Sequence, residues 1–218
     1  MTSPDATPAR PAAPRPWRLV LASQSPARLT TLRRAGLDPE VIVSEVDESV
    51  VAEPDPAQLS ARLAELKAEA VFERLTGDGP VIVVGCDSIL SLAGQACGKP
   101  GSPAAAAALW RRTQGRSAVL VTGHHLIVAG PPTARATRVA QTVVHFADLS
   151  DAEIDAYVAT GEPERVAGGF TVDGWGGPFV TGLEGDPHNV VGLSLPLLRL
   201  MLADLGVTWT DLWPRRPL

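Results

Sequence analysis

A single acidic residue inside an apolar stretch is the first feature of this sequence that could support chemistry. Asp87 is the only charged residue between Val81 and Leu92, and it follows the strand-like run VIVVG. Because an unpartnered carboxylate is costly to bury, Asp87 should face a polar cleft, coordinate a cation or end the strand. The first two outcomes would place it in a functional site, and the third would be structural.

A second candidate site lies where a predicted strand runs into a predicted helix. The segment 21–28 reads LASQSPAR, in which Ser25 can cap a helix and Pro26 fits its first turn. Free amides at such a helix start favour an anion. Ser23 and Ser25 can donate hydrogen bonds to phosphate oxygens, and Arg28 can offer a forked guanidinium. The pattern predicts either a phosphate site or an ordinary serine cap beside an exposed arginine.

The two lysines of the chain are a further signal. All of the 19 basic residues are arginine except Lys67 and Lys99. A compact ammonium and a planar guanidinium are not equivalent, so the lysines either mark sites that need a point charge or are there by chance. Lys67 lies at the edge of the apolar stripe of a predicted helix. Lys99 follows a predicted hairpin that could bring it back beside Asp87.

Metal ligands are expected from carboxylates rather than from histidine or cysteine. The adjacent acids Asp47 and Glu48 supply hard oxygens of the kind that Mg²⁺ or Mn²⁺ accepts beside phosphates, although such a pair can also be merely solvated. His124 and His125 are neighbours in a predicted strand, so they point to opposite faces. The cysteines have no zinc-finger spacing and are expected to be reduced.

The composition excludes several classes of protein. With 45% hydrophobic residues among 218, the chain can bury a core, which excludes wholesale disorder, collagen and a coiled coil. A formal net charge of -5 provides no positive field for a nucleic-acid backbone, so no nucleic-acid partner is expected. No apolar run reaches the roughly 20 residues that span a bilayer, and no signal peptide is visible. We expect a cytoplasmic protein without a membrane partner.

Predicted strands and helices alternate along the chain. Residues 1–16 are rich in proline and alanine and are predicted to be a disordered tail, with one domain over 17–218. Strands are predicted over 17–22, 41–46, 81–92 with an interruption at 86–88, 117–128 and 135–146. Helices are predicted over 26–36, 56–75, 103–115, 151–161 and 197–205. This order predicts an α/β fold with a mixed twisted sheet flanked by helices.

Taken in order, these segments resemble the Maf family of nucleoside triphosphate pyrophosphatases, also called septum formation inhibitors. The resemblance rests on LASQSPAR (21–28), SEVDES (44–49), LKAEA around Lys67, GCDS (85–88), GKP (98–100), TG (122–123), LSDAEIDAYVATGEP (149–163), AGGFTVDG (167–174) and NVVGLSL (189–195). It implies two lobes around a central cleft, hydrolysis of nucleoside triphosphates to monophosphate and pyrophosphate, a divalent cation (Mg²⁺ or Mn²⁺) and a homodimer.

The resemblance also implies roles for individual residues. Asp87 matches the acid that accepts a proton, and it is the predicted catalytic residue. The predicted substrate-binding residues are Ser23, Ser25, Arg28, Lys67, Ser88, Lys99 and Asp173. The predicted metal ligands are Asp47, Glu48 and Asp87.

Four departures from the family pattern leave the preferred nucleotide open. Ala27 stands where a second arginine is usual, and Ser88 where a threonine is usual. Val166 replaces a lysine, and Asp173 replaces a glutamine. The resemblance places base or subfamily selectivity at positions 27, 88 and 173. The open alternatives are therefore a pyrophosphatase for selected or non-canonical triphosphates, an enzyme specific for one damaged base, and a nucleotide-binding regulator of cell division with little catalysis.

Overall fold

A mixed β-sheet organises the computed structural model, which describes residues 17–77 and 79–214. The predicted tail at 1–16 lies outside the described residues. The strands are β1 (Arg18–Ala22), β2 (Glu40–Val41), β3 (Val81–Leu92), β4 (Gln95–Cys97), β5 (Ser117–Ala129), β6 (Ala134–Phe146) and β7 (Val180–Gly185). They are ordered β2-β1-β3-β5-β6-β7, and β4 pairs with β3. The pairs of β1 are parallel and all others are antiparallel, which confirms the predicted mixed sheet.

Helices cover both faces of this sheet. They are α1 (Pro26–Arg34), α2 (Pro56–Phe72), α3 (Pro103–Thr113), α4 (Asp151–Ala159), α5 (Pro187–Val191) and α6 (Leu195–Asp204). The predicted starts of four helices are confirmed, because the side chains of Ser25, Asp55, Ser102 and Ser150 each accept a hydrogen bond from a first-turn amide. The five-residue α5 was not predicted.

Two groups of helices divide the fold into lobes. In one lobe, α1 and α6 pack on one face of β1, β3 and β5 and α2 packs on the other. In the second lobe, the far halves of β3, β5 and β6 pack against α3 and α4, around the buried Trp110. The long strands run through both lobes, so the predicted two-lobed arrangement is confirmed.

The cleft between the lobes arises because β3 lacks a strand on one side over a short stretch. Pairing with β1 ends at Gly85, opposite Ala22, and pairing with β4 begins at Leu90. Between these two points, the described strands pair with β3 only on its β5 side. Asp87 and Ser88 lie in this stretch, at the edge of open space.

Two predictions about strands are wrong. The predicted interruption at 86–88 does not exist, because β5 pairs with β3 without a break from Val81 to Ser91. The predicted strand 41–46 is reduced to β2 at the edge of the sheet. Residues 42–46 form no strand, and at Glu45 the backbone has a φ of 57°, in the left-handed region, which is incompatible with an extended strand.

Glycine allows α2 to approach the two central strands closely. A Cβ at Gly85 would collide with the carbonyl of Ala64, and a Cβ at Gly123 would collide with the carbonyl of Ser60. Both strand positions therefore need glycine for the helix to lie this close. The close approach places Lys67, on α2, directly over Asp87 on β3.

Candidate active site

A cavity of about 560 Å³ lies in the cleft. Its walls come from the start of α1, the segment after β2, one residue of α2, the open stretch of β3, the segment after β4, the segment that precedes β7, and the end of α5. The lining residues are 23–28, 43–46, Glu48, Lys67, Asp87, Ser88, Lys99, 165–167, 170–173 and 190–192. The seven predicted substrate-binding residues and the predicted base are all among them.

A buried ammonium joins two carboxylates at the centre of this cavity. Lys67 Nζ lies 2.5 Å from Asp87 Oδ1 and 2.8 Å from Glu48 Oε1. The Lys67 and Asp87 side chains are only 11% and 13% exposed, whereas Glu48 is half exposed. A buried charge needs a partner, and the contact between Lys67 and Asp87 fixes both side chains in place.

Arg28 is held rigidly by the protein at the opposite face of β3. Its Nε donates to the carbonyl of Gly192 at 2.7 Å, Nη1 donates to Ser23 Oγ at 3.1 Å, and Nη2 donates to Ser88 Oγ at 3.0 Å. A guanidinium has five N–H donors, so one N–H on each Nη nitrogen is left for a ligand. Successive strand residues face opposite sides, which explains why Asp87 meets α2 while Ser88 meets α1.

The serines at the start of α1 keep their own protons for a ligand. Ser23 Oγ accepts from Ser25 N at 3.1 Å and from Arg28 Nη1, which occupies both of its lone pairs. Ser25 Oγ accepts from Arg28 N as the helix cap. The hydroxyl protons of Ser23 and Ser25 therefore remain able to donate to an anion at the helix start.

Not every predicted residue takes the predicted position. Lys99 lines the cavity, as expected from the β3–β4 hairpin, but the ammonium that contacts Asp87 belongs to Lys67. Asp173 also lines the cavity. Asp47 does not line the cavity, because its carboxylate accepts hydrogen bonds from the backbone N–H and the hydroxyl of Ser49.

The metal prediction can be tested against the donor set of the cavity. Within the described part of the chain, no group of three or more His, Cys, Asp or Glu side chains is arranged to hold a metal ion. Glu48 and Asp87 nevertheless converge on one point, the Lys67 ammonium, and both offer hard oxygens. Two carboxylates do not complete the coordination of Mg²⁺ or Mn²⁺. The pair therefore fits such an ion only if substrate phosphates supply further ligands.

Two titratable groups beside the cavity are kept neutral by burial. Burial raises the pKa of the Cys86 thiol, next to Asp87, to about 12, so it stays protonated. Burial lowers the pKa of His124 to about 4, and its Nε2 accepts a hydrogen bond from Ser194 N. As expected, His124 and His125 contact different elements on opposite faces of the sheet. The cavity's ionisable chemistry therefore belongs to its carboxylates and lysines.

Glu162 holds the cavity wall that carries Asp173, and sequence analysis gave it no role. Its Oε1 accepts from Tyr157 Oη at 2.8 Å, Thr171 Oγ1 at 2.7 Å and Gly176 N at 3.0 Å, and its Oε2 accepts from Trp175 N at 3.1 Å. The segment LSDAEIDAYVATGEP contains Glu162, but the hydrogen-bond partners of Glu162 lie up to 14 positions away. The contacts fix both ends of the loop around Asp173.

Arg165 also lines the cavity and was not predicted. It immediately precedes Val166, one of the departures from the family pattern, so a cation lies one position away from the missing lysine. All four departures, Ala27, Ser88, Val166 and Asp173, line this cavity. Sequence analysis could not show that these four positions lie together around one cavity.

The structure thus defines an α/β protein with a cleft lined by both basic and acidic side chains, and comparison with known proteins identifies its family. A family model described as Maf-like protein matches residues 18–205, and the chain belongs to this family. The resemblance inferred from the motifs is confirmed. No helix in the described ranges is long and apolar enough to cross a membrane.

Close relatives carry one name, nucleoside triphosphate pyrophosphatase. The relative from Salinispora tropica is 56% identical over 204 residues, covering 92% of this chain and 89% of its own. The relative from Cutibacterium acnes is 53% identical over 199 residues, covering 89% of this chain and 93% of its own. The relative from Streptomyces coelicolor is 54% identical over 197 residues, covering 90% and 94%.

Glu162 should make the stability of the protein depend on acid. Burial raises its pKa, but the hydrogen bonds from Thr171, Tyr157 and two backbone amides outweigh burial and lower the pKa overall. A carboxylate with a lowered folded pKa contributes stability above its unfolded pKa of about 4.3, and this contribution is lost as the pH falls through the folded value. Glu162→Gln should therefore destabilise the protein by about 1–3 kcal/mol at pH 7 and by less near pH 3.

Urea unfolding of both proteins between pH 7 and pH 3 measures this difference. Glu164→Gln, on the neighbouring 3₁₀ turn, is the matched control and should leave stability unchanged. A constant difference between wild type and Glu162→Gln at every pH would contradict the assignment.

Proposed function

We propose that this chain hydrolyses nucleoside triphosphates to nucleoside monophosphate and pyrophosphate in the described cavity, with Asp87 as the general base. The observation that carries the proposal is the convergence of Asp87, Lys67, Arg28 and Lys99 on one cavity. Membership of the Maf-like family and the shared name of the relatives support the same activity.

The cations and hydroxyls of the cavity suit the polyphosphate part of the substrate. Ser23, Ser25 and the free N–H groups of Arg28 lie at the positive end of α1, which favours phosphate oxygens. Lys67 and Lys99 supply point charges in the same cavity. Arg165, at the rim, adds a further guanidinium for the leaving pyrophosphate. Phosphoryl chemistry depends mainly on such positioning and charge stabilisation.

Glu48 and Asp87 would hold a divalent cation, Mg²⁺ or Mn²⁺, together with phosphate oxygens of the substrate. Bound there, the cation would neutralise phosphate charge and lower the pKa of water. Asp47, which lies outside the cavity, is not needed for this role. The homodimer implied by the resemblance and the cytoplasmic location expected from the composition remain predictions.

Asp87 is the residue placed to take a proton from water. Water attacks the α-phosphorus, one of its protons passes to a carboxylate oxygen of Asp87, and the bond from the α-phosphorus to the bridging oxygen breaks. Pyrophosphate leaves with its charge neutralised by the lysines and arginines. Lys67 orients the carboxylate throughout, because its ammonium is anchored by Glu48 as well.

Replacing the base should abolish turnover and leave binding in place. Asp87→Asn keeps the shape of the side chain but cannot accept the proton, so kcat should fall about 100- to 10,000-fold. Binding of a non-hydrolysable triphosphate analogue, measured by calorimetry, should persist. Asp204→Asn, which alters a surface ion pair with Arg138, is the matched control and should keep wild-type kcat. Unchanged pyrophosphate release by Asp87→Asn would refute the assignment.

The departures Ala27, Ser88 and Asp173 should alter base selectivity. A panel of canonical and modified nucleoside triphosphates, each with Mg²⁺, with Mn²⁺ and with excess chelator, tests the activity directly through pyrophosphate release. We expect release from a subset of the panel and none with chelator. If the protein binds nucleotides but releases pyrophosphate from none of them, the alternative of a nucleotide-binding regulator is favoured. The changes of charge at Ala27 and Asp173 are the reason to consider this alternative.

A further inference from the structure

A chain of hydrogen bonds runs from Arg28 into the interior of the protein. Arg28 Nη2 contacts Ser88 Oγ at 3.0 Å, Ser88 Oγ contacts Thr122 Oγ1 at 2.9 Å, and Thr122 Oγ1 contacts the carbonyl of Asn189 at 3.2 Å. Ser88 and Thr122 lie directly opposite each other on β3 and β5. The chain therefore connects the cavity, across the sheet, to α5.

Chemistry fixes the direction of every bond in this chain. A guanidinium only donates, so Ser88 accepts from Arg28, and a carbonyl only accepts, so Thr122 donates to Asn189. Thr122 has one hydroxyl proton, and it is committed to Asn189. The hydrogen bond between the two hydroxyls must therefore be donated by Ser88 to Thr122 Oγ1. This bond uses the single hydroxyl proton of Ser88.

Ser88 consequently cannot donate to a substrate phosphate. Phosphate oxygens at neutral pH are acceptors, and Ser88 has no proton left for them. This separates Ser88 from Ser23 and Ser25, whose protons are free. Ser88 lines the cavity, but its contribution is to fix the guanidinium of Arg28.

The far end of the chain is anchored by buried contacts. Asn189 is fully buried, and its Nδ2 donates to the carbonyl of Leu120 at 3.1 Å and to Thr142 Oγ1 at 3.2 Å. Three residues later, the carbonyl of Gly192 accepts directly from Arg28 Nε at 2.7 Å. The α5 segment thus holds the guanidinium at two points, once directly and once through Thr122.

We propose that Thr122 and Asn189 are positioning residues that orient Arg28 for substrate phosphate through the hydroxyl of Ser88. The proposal rests on the proposed function for the identity of the ligand, a polyphosphate. With the chain intact, the two unused N–H groups of Arg28 are held in one direction. Without it, Ser88 can rotate and Nη2 loses its fixed partner, so phosphate binding weakens while Asp87, on the other face of β3, is untouched.

The isosteric variant Thr122→Val breaks the chain, and Thr122→Ser restores it. We expect Thr122→Val to raise KM about tenfold and to change kcat by less than about threefold, since an oriented charged hydrogen bond contributes on this scale. Thr122→Ser should return KM to within about threefold of wild type. Ser88→Ala removes the middle link from the cavity wall and should raise KM as Thr122→Val does.

A matched control separates positioning from loss of stability. Thr113 is also a buried threonine, but its hydroxyl donates only to carbonyls within α3, in the other lobe. Thr113→Val should lower the melting temperature and leave KM unchanged. An equal rise in KM in Thr113→Val would overturn the proposal.

A double-mutant cycle with Arg28→Ala decides whether Thr122 acts through Arg28. In that background, Thr122→Val should have no further effect on KM; the same tenfold rise there would overturn the proposal. Calorimetric binding of inorganic pyrophosphate gives a second readout that needs no turnover, and Thr122→Val should weaken it about tenfold. If the wild type hydrolyses no triphosphate, the proposed function fails, whereas unchanged pyrophosphate binding in Thr122→Val refutes the positioning role alone.

Discussion

The functional site depends on one constraint, the short stretch of β3 that has a strand on only one side. Between Gly85 and Leu90, β1 has already ended and β4 has not yet begun, so backbone and side chains of a central strand face open space. Central strands are ordinarily covered on both edges and both faces. Here the opening lets polar residues of an otherwise apolar strand face the cleft. Because the strand belongs to the core of the sheet, these residues are held rigidly.

The alternation of side chains along this open stretch gives the cavity two separate electrostatic arrangements. Asp87 faces α2 and shares the Lys67 ammonium with Glu48, which makes one charged group suited to base chemistry and to a shared cation. Ser88 faces α1 and fixes Arg28, which makes a second group suited to binding phosphate. In the proposed mechanism, phosphate binding and proton transfer fall to adjacent residues of β3 that contact different helices.

Local chemistry made much of the fold predictable from sequence. Ser25, Asp55, Ser102 and Ser150 mark their helices because a capping side chain bonds to an amide only a few positions along the chain. The isolated position of Asp87 likewise identified the strand that carries the proposed base. Each of these signals requires only neighbouring residues.

The remaining features depend on contacts between segments that are distant in the chain, and such contacts cannot be predicted from local sequence patterns. The continuity of β3 is set by its register with β5, and the choice of Lys67 over Lys99 as the partner of Asp87 is set by how closely α2 approaches the sheet. Glu162 is a partly buried and Asn189 a fully buried polar residue, and each bonds to partners far along the chain.

Hydrolysis in ¹⁸O-labelled water, with both products analysed by mass spectrometry, tests the central claim most directly, because the label reports which phosphorus the water attacks. Attack beside Asp87 at the α-phosphorus predicts one ¹⁸O atom in the nucleoside monophosphate and none in the pyrophosphate. Label in the pyrophosphate, or release of single phosphate groups in its place, would contradict the account.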